Sequence, residues 1–165
     1  MSKLDIYAKA KIGKSLAGFT LGEKLQNFLH YVDKTVDGNE ESWTVDLVLD
    51  NTGILLYELP NKNGHKIYFS EPQLELGFTN TGTLCVIIAG KGYKGDIFEG
   101  GVKIGSRISD INHDLVLDDT EDVHYLSDNK GQFIDGIYFV AGGLEVEEDP
   151  EAIIEEVRVY NYNLI

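Results

Sequence analysis

Apolar residues recur along this chain with two different periods, and the same succession of periods occurs twice. Leu21, Leu25, Phe28, Leu29 and Val32 follow one another at steps of four, three, one and three. That spacing draws an apolar stripe on a helix. It predicts a helix over about 22–33, with Thr20 as its cap and Asp37-Gly38 beyond its end. From Trp43 to Leu49 the period drops to two: Trp43, Val45, Leu47 and Leu49 alternate with Thr44, Asp46 and Val48, as in a half-buried strand. After the Asn51-Thr-Gly53 turn, residues 54–59 read as a hairpin partner. Further strands are predicted at 66–69, 74–78 and 83–89.

The second half repeats this succession, in two blocks nearly letter for letter. Asp46-Leu-Val-Leu-Asp-Asn51 returns as Asp114-Leu-Val-Leu-Asp-Asp119, and Lys66-Ile-Tyr-Phe69 as Gly136-Ile-Tyr-Phe139. Upstream, Phe19-Thr-Leu21-Gly22-Glu-Lys-Leu25-Gln-Asn-Phe28 returns as Val102-Lys-Ile104-Gly105-Ser-Arg-Ile108-Ser-Asp-Ile111, with each apolar position and the glycine kept. Ile104, Ile108 and Ile111 predict a shorter second helix ending near His113, followed by strands at 114–117, 136–139 and 156–162. Pro150 suits the first position of a helical turn within 151–156. Internal repetition reads as duplication. Copy one spans about 12–89 and copy two about 97–162, joined by a glycine-rich stretch, 90–101, that reads as flexible. The expected fold class is α+β: a strand-rich antiparallel sheet, or sheets, built from two tandem copies of a strand-helix-strands unit. Copies of this length are marginal alone, so residues 1–165 are expected to form one compact domain around a shared core.

Charge changes the picture more than composition does. Residues 1–75 carry eight basic and eleven acidic residues, a balance of −3, whereas residues 76–165 carry six and seventeen, a balance of −11. Such an anionic half repels phosphate backbones, so nucleic acid is excluded as a partner. It would accelerate encounter with a basic one. The opening Met1-Ser-Lys-Leu-Asp has no apolar run behind a basic stretch and predicts no secretory signal, and no segment approaches the roughly 20 apolar residues of a membrane span. Cys85 stands alone within Thr83-Leu-Cys-Val-Ile-Ile-Ala89, where it is expected to act as a small buried hydrophobe. A chain with one cysteine forms no internal disulfide, so a cytoplasmic location is expected.

Two acidic runs stand out: Asp118, Asp119, Glu121 and Asp122 at one turn, and Glu145, Glu147, Glu148 and Asp149 before Pro150. The first lacks the glycine and the terminal glutamate of an EF-hand loop, so Ca²⁺ ranks below a solvated turn or a patch for a cationic partner. Copy one has no counterpart to the second run, which suggests specialisation of copy two. Gly90-Lys-Gly-Tyr-Lys-Gly95 is followed by Asp96 and fails the phosphate-loop pattern; Lys91, Tyr93 and Lys94 are expected to be exposed there. His30, His65, His113 and His124 show no metal-binding spacing. His124 is expected to have its pKa raised by the carboxylates flanking it in sequence. Neither a nucleophile elbow nor a nucleophile, base and orienting group can be assembled, so no enzyme, cofactor or metal is expected. Nine tyrosines, among them Tyr7, Tyr57, Tyr93, Tyr125, Tyr160 and Tyr162, suit either sheets or recognition surfaces.

In character the whole chain resembles the immunity proteins of bacterial polymorphic and contact-dependent toxin systems, through its acidic runs at 118–122 and 145–151 and its lack of a catalytic constellation. The resemblance implies a small cytoplasmic protein, monomeric when free, that neutralises a basic toxin domain, commonly a nuclease, by binding and occluding it. The expected contact residues are Asp118, Asp119, Glu121, Asp122, Tyr125, Glu145, Glu147, Glu148 and Asp149. An exposed edge strand at about 154–162 would offer a further contact. The alternatives are an enzyme or small-ligand-binding protein with a pocket between the copies, near Lys91, Tyr93, Lys94 and Asp96, and a structural or homo-oligomeric protein.

Overall fold

In a computed structural model that describes residues 2–40 and 53–165, the chain is built on one large sheet. The strand expected at 43–49 lies outside the described residues. A short hairpin, β1 (Ser15–Leu16) and β2 (Phe19–Thr20), precedes the sheet. The sheet strands are β3 (Lys34–Asp37), β4 (Leu55–Glu58), β5 (His65–Phe69), β6 (Leu74–Phe78), β7 (Leu84–Ala89), β8 (Leu115–Asp118), β9 (Val123–Ser127), β10 (Phe133–Val140) and β11 (Glu156–Tyr160). Their spatial order is β3-β4-β5-β6-β7-β11-β10-β9-β8. Among the described residues only β3 and β4 run parallel; every other neighbouring pair of sheet strands is antiparallel. Two meanders thus meet at the β7–β11 seam, as short connections favour.

Both expected helices are absent, which corrects the α+β expectation to a sheet-dominated fold. Among the described residues helical geometry is limited to single 3-10 turns, including Leu25–Asn27, Leu29–Tyr31 and Ile108–Asp110. The physical reason lies in the backbone hydrogen bonds. Gly22 N–H donates to Leu84 C=O (2.8 Å), Leu84 N–H to Glu23 C=O (2.9 Å) and Leu25 N–H to Gly82 C=O (2.9 Å). In the second half Gly105 N–H donates to Ile154 C=O (2.9 Å), Ile154 N–H to Ser106 C=O (2.8 Å) and Ile108 N–H to Ala152 C=O (2.8 Å). Groups that would start a helix are spent on the approach to β7 and to β11. A helix of about a dozen residues is marginal without tertiary support, and here the sheet takes its donors first. The periodic Leu25 and Phe28 are buried in the core, while Leu29 is 44% exposed.

The matched upstream blocks therefore occupy equivalent backbone settings, but the Ile-Tyr-Phe blocks do not. Ile67-Tyr-Phe69 lies in β5, two strands from the seam, and Ile137-Tyr-Phe139 lies in β10, next to it. What the two share is parity: isoleucine and phenylalanine face the core while tyrosine points the other way. Strand β11 sits between β7 and β10, so the edge expected at 154–162 is interior; among the described residues the sheet ends on β3 and β8. Residues 151–155 form no helical turn.

One sheet face carries the main core. Leu56, Ile67, Leu76, Ile87, Val159 and Ile137 are paired across six successive strands, beside a second row of Phe69, Leu74, Ala89, Val157 and Phe139. The N-terminal segment and residues 91–111 cover these rows. Phe28 meets Phe78 with centroids 5.3 Å apart, Phe19 meets Phe69 at 6.0 Å, and Phe98 meets Phe139 at 6.4 Å. Ile97, Val102, Ile108 and Ile111 are buried in the same cluster. The glycine-rich join is consequently docked: Lys94 N–H donates to Ile6 C=O (2.8 Å), Ala10 N–H to Asp96 C=O (2.9 Å), and Tyr93 is 3% exposed with its hydroxyl donating to Ala8 C=O. Lys91 and Lys94 are exposed as expected; Tyr93 is not.

Candidate functional site

The two acidic runs, more than twenty residues apart in sequence, come together at one end of the sheet. Asp118 closes β8, and Asp119–Asp122 turn the chain into β9, with Thr120 N–H donating to Asp118 Oδ1 (3.0 Å) and Asp122 in left-handed backbone geometry (φ 53°). Residues 145–149 lie in the β10–β11 connection, where Glu148 and Asp149 N–H both donate to Glu145 C=O (3.0 Å). Val146 packs on the main core and holds this turn down.

Two contacts join the runs. His124 Nε2 donates to the Leu144 carbonyl at 3.0 Å. A Cβ on Gly143 would stand 3.0 Å from Asp122 Oδ1, so that glycine permits the approach. His124 itself is fully buried, in the covered face opposite Phe139, and bonds a backbone carbonyl rather than a carboxylate. The sequence placed it among charges; strand parity turns its ring into the core.

Asp118, Glu145 and Asp149 are half-buried, and Asp119, Glu121, Asp122, Glu147 and Glu148 are exposed. Among the described residues none of these eight carboxylates has a basic partner within ion-pair distance. The adjoining cation, Arg107, is occupied by Asp110 (3.2 Å) and Glu151 (3.3 Å). Among the described residues no group of three or more His, Cys, Asp or Glu side chains could hold a metal ion.

Tyr125, the remaining expected contact residue, belongs to a second feature. It lies on the sheet face opposite the main core, within a continuous series of rings. Phe133 stacks on Tyr125 at 4.7 Å with planes 4° apart, Tyr125 meets Tyr138 at 5.0 Å, Tyr138 meets Tyr160 at 5.4 Å, and Tyr160 meets Tyr162 at 4.6 Å. Arg158 lies over Tyr138, its Cζ 5.3 Å from the ring centroid, and donates from Nη1 to the Tyr138 hydroxyl (3.1 Å). Its Nε and Nη2 donate to Glu156 Oε2 (3.2 and 3.1 Å). Burial, then the neighbouring phenols of Tyr160, Tyr162 and Tyr138, raise the Tyr125 pKa. Burial pushes Tyr160 up to about 12.

Sequence reasoning missed Phe133, Tyr138 and Arg158 here. The available signal was parity: in Ile137-Tyr138-Phe139 the middle residue must face away from the core. Tyr57, 2% exposed, and Tyr93 are core residues, not recognition residues.

A cleft of about 670 Å³ opens beside the join, lined by Lys91, Tyr93, Lys94, Glu156 and Arg158 among others. Asp96 lies apart from it, paired with Lys103 and, at 3.7 Å, with Lys9; Lys103 holds the Asp96 carboxyl below the usual carboxylate range. Burial, with Asp96 and Asp5 nearby, raises the Tyr93 pKa, and its hydroxyl is already committed to Ala8. Cys85, at the bulge where β6 slips against β7, donates to Gly77 C=O (3.4 Å), and burial pushes its thiol up.

Among the described residues no helix is long and apolar enough to cross a membrane. No family model, curated protein or solved structure matches this chain.

Proposed function

We propose that this protein is a non-catalytic, cytoplasmic binding protein that covers a basic protein surface, the part an immunity protein plays against a toxin domain. One observation carries the reading: eight carboxylates from two separate runs share one end of the sheet and have no cations of their own among the described residues. Acidic groups so gathered raise the encounter rate with a cationic surface, and the effect weakens as salt shortens the Debye length to about 8 Å at physiological strength. The free protein is expected to be monomeric, because a net charge of −14 opposes self-association.

The test is to identify the gene upstream of this chain and, where it encodes a secreted protein with a variable C-terminal domain, to co-purify that domain with this protein, first intact and then with Asp118, Asp119, Glu121 and Asp122 changed to Lys. Neutralisation predicts a complex whose association slows with salt and is lost on reversal. Unchanged affinity and salt dependence after reversal, or a neighbouring gene with no toxin domain, would remove the support for this function.

A small-ligand-binding role is the second reading, favoured by the 670 Å³ cleft and the exposed Lys91 and Lys94. It predicts a thermal shift with small anions such as inorganic phosphate, lost in a Lys91→Glu, Lys94→Glu variant.

A further inference from the structure

We infer that the open sheet face carries a docking strip for arginine side chains of a basic protein partner, formed by Phe133, Tyr125, Tyr138, Tyr160 and Tyr162 with Asp118 beside them. The inference rests on the binding-protein reading above and adds where, and by what chemistry, the partner is held. The strip differs from ordinary cross-strand packing in its exposure. Its two ends, Phe133 and Tyr162, are 47% and 58% exposed, Tyr125 and Tyr138 are half-buried, and only Tyr160 is fully enclosed.

The face already binds one guanidinium. Arg158 Cζ stands 5.3 Å from the Tyr138 ring centroid and Nη1 donates to its hydroxyl at 3.1 Å, while Glu156 Oε2 accepts from Nε and Nη2. A ring face with a carboxylate at its side is thus the unit this surface offers. At the Tyr125–Phe133 stack the carboxylate is Asp118: it is opposite Val123 in the β8–β9 ladder, which puts its side chain on the Tyr125 face, diagonal to that ring. Among the described residues Asp118 has no ion-pair partner; its Oδ1 accepts from Thr120 N–H.

Charge selects the occupant. The strip belongs to the half of the chain that carries −11, which disfavours phosphate-bearing ligands and a second copy alike. Arginine suits it better than lysine, because a planar, weakly hydrated guanidinium stacks on an aromatic face while directing its fork of donors to a carboxylate. An exposed cation–π contact changes affinity by about two- to fivefold per ring.

The test titrates the full chain with hexa-arginine and hexa-lysine peptides, followed by calorimetry and by aromatic NMR signals at low and physiological salt. A docking strip predicts tighter binding of hexa-arginine, with shifts at Tyr125, Phe133 and Tyr162. Phe133→Ala and Tyr162→Ala, both at exposed rings, should each weaken hexa-arginine by about two- to fivefold and leave hexa-lysine unchanged. Asp118→Lys should weaken both peptides. Equal affinity for the two peptides, no binding of hexa-arginine, or an arginine preference indifferent to both ring variants would overturn the strip. If the ring variants are silent but reversal of 118–122 abolishes binding, the strip falls and the acidic end stands. If the ring variants erase the preference while reversal of Asp119, Glu121 and Asp122, with Asp118 kept, changes nothing, the strip stands and the acidic end falls.

Discussion

Two adjacent residues of β10 provide a decisive contrast, because strand parity sends them to opposite faces. Ile137 is fully buried, paired with Val159 in the main core row. Tyr138 is half-buried on the open face under Arg158. Ile137→Ala removes three carbons from a site walled by the sheet and its covering loops, and such truncations cost about 2–5 kcal/mol. For a chain of this length each kcal/mol moves Tm by about 2–4 °C, which puts the loss between about 4 and 20 °C. Tyr138→Phe keeps the ring and removes only the hydroxyl that accepts from Arg158, a loss of about 1 kcal/mol on a face where water can replace it. Urea unfolding followed by far-ultraviolet circular dichroism measures both, with an unchanged slope marking a pure stability effect. Were Ile137→Ala to cost less than Tyr138→Phe, the strand would be off by one residue and the open aromatic face would not exist.

Other consequences are open to simpler measurements. Tyr160, raised to about 12, with Tyr125 and Tyr93 raised as well, holds its proton longer folded than unfolded, so stability should fall as pH rises from about 10. Absorbance at 295 nm should then resolve late-titrating phenols that Tyr160→Phe reduces by one; simultaneous titration of every tyrosine near 10 would contradict this. Cys85, enclosed with its pKa raised, should react with a thiol reagent only after unfolding, and labelling at the native rate of a free thiol would refute its burial. Gly77→Ala would set a Cβ 2.4 Å from Val86 Cγ1 at the β6–β7 bulge and should cost about 1–3 kcal/mol by overpacking; an unchanged unfolding midpoint would show that the bulge yields.

Much of the strand layout was legible from short apolar and aromatic runs between turn residues, as at 66–69, 74–78 and 83–89, because that preference depends only on the run's own residues. Helix prediction failed at 22–33 for the opposite reason. Leu25 and Phe28 do point inward at helical spacing, but their neighbours' N–H and C=O groups are taken by residues 82–84, about sixty positions away. The acidic residues were visible one by one, and their convergence was not, since it depends on His124 reaching the Leu144 carbonyl across the sheet end.

By itself, then, the amino-acid order determined local quantities: which residues alternate, where charge accumulates, and which three blocks repeat. Tertiary structure alone decided that β11 is interior rather than an edge, that Tyr93 is core, and that five aromatic rings share one open face. Hydrogen bonds and burial between distant segments override local preference because a buried backbone group must be paired wherever its partner comes from, and short-range periodicity carries no information about that partner.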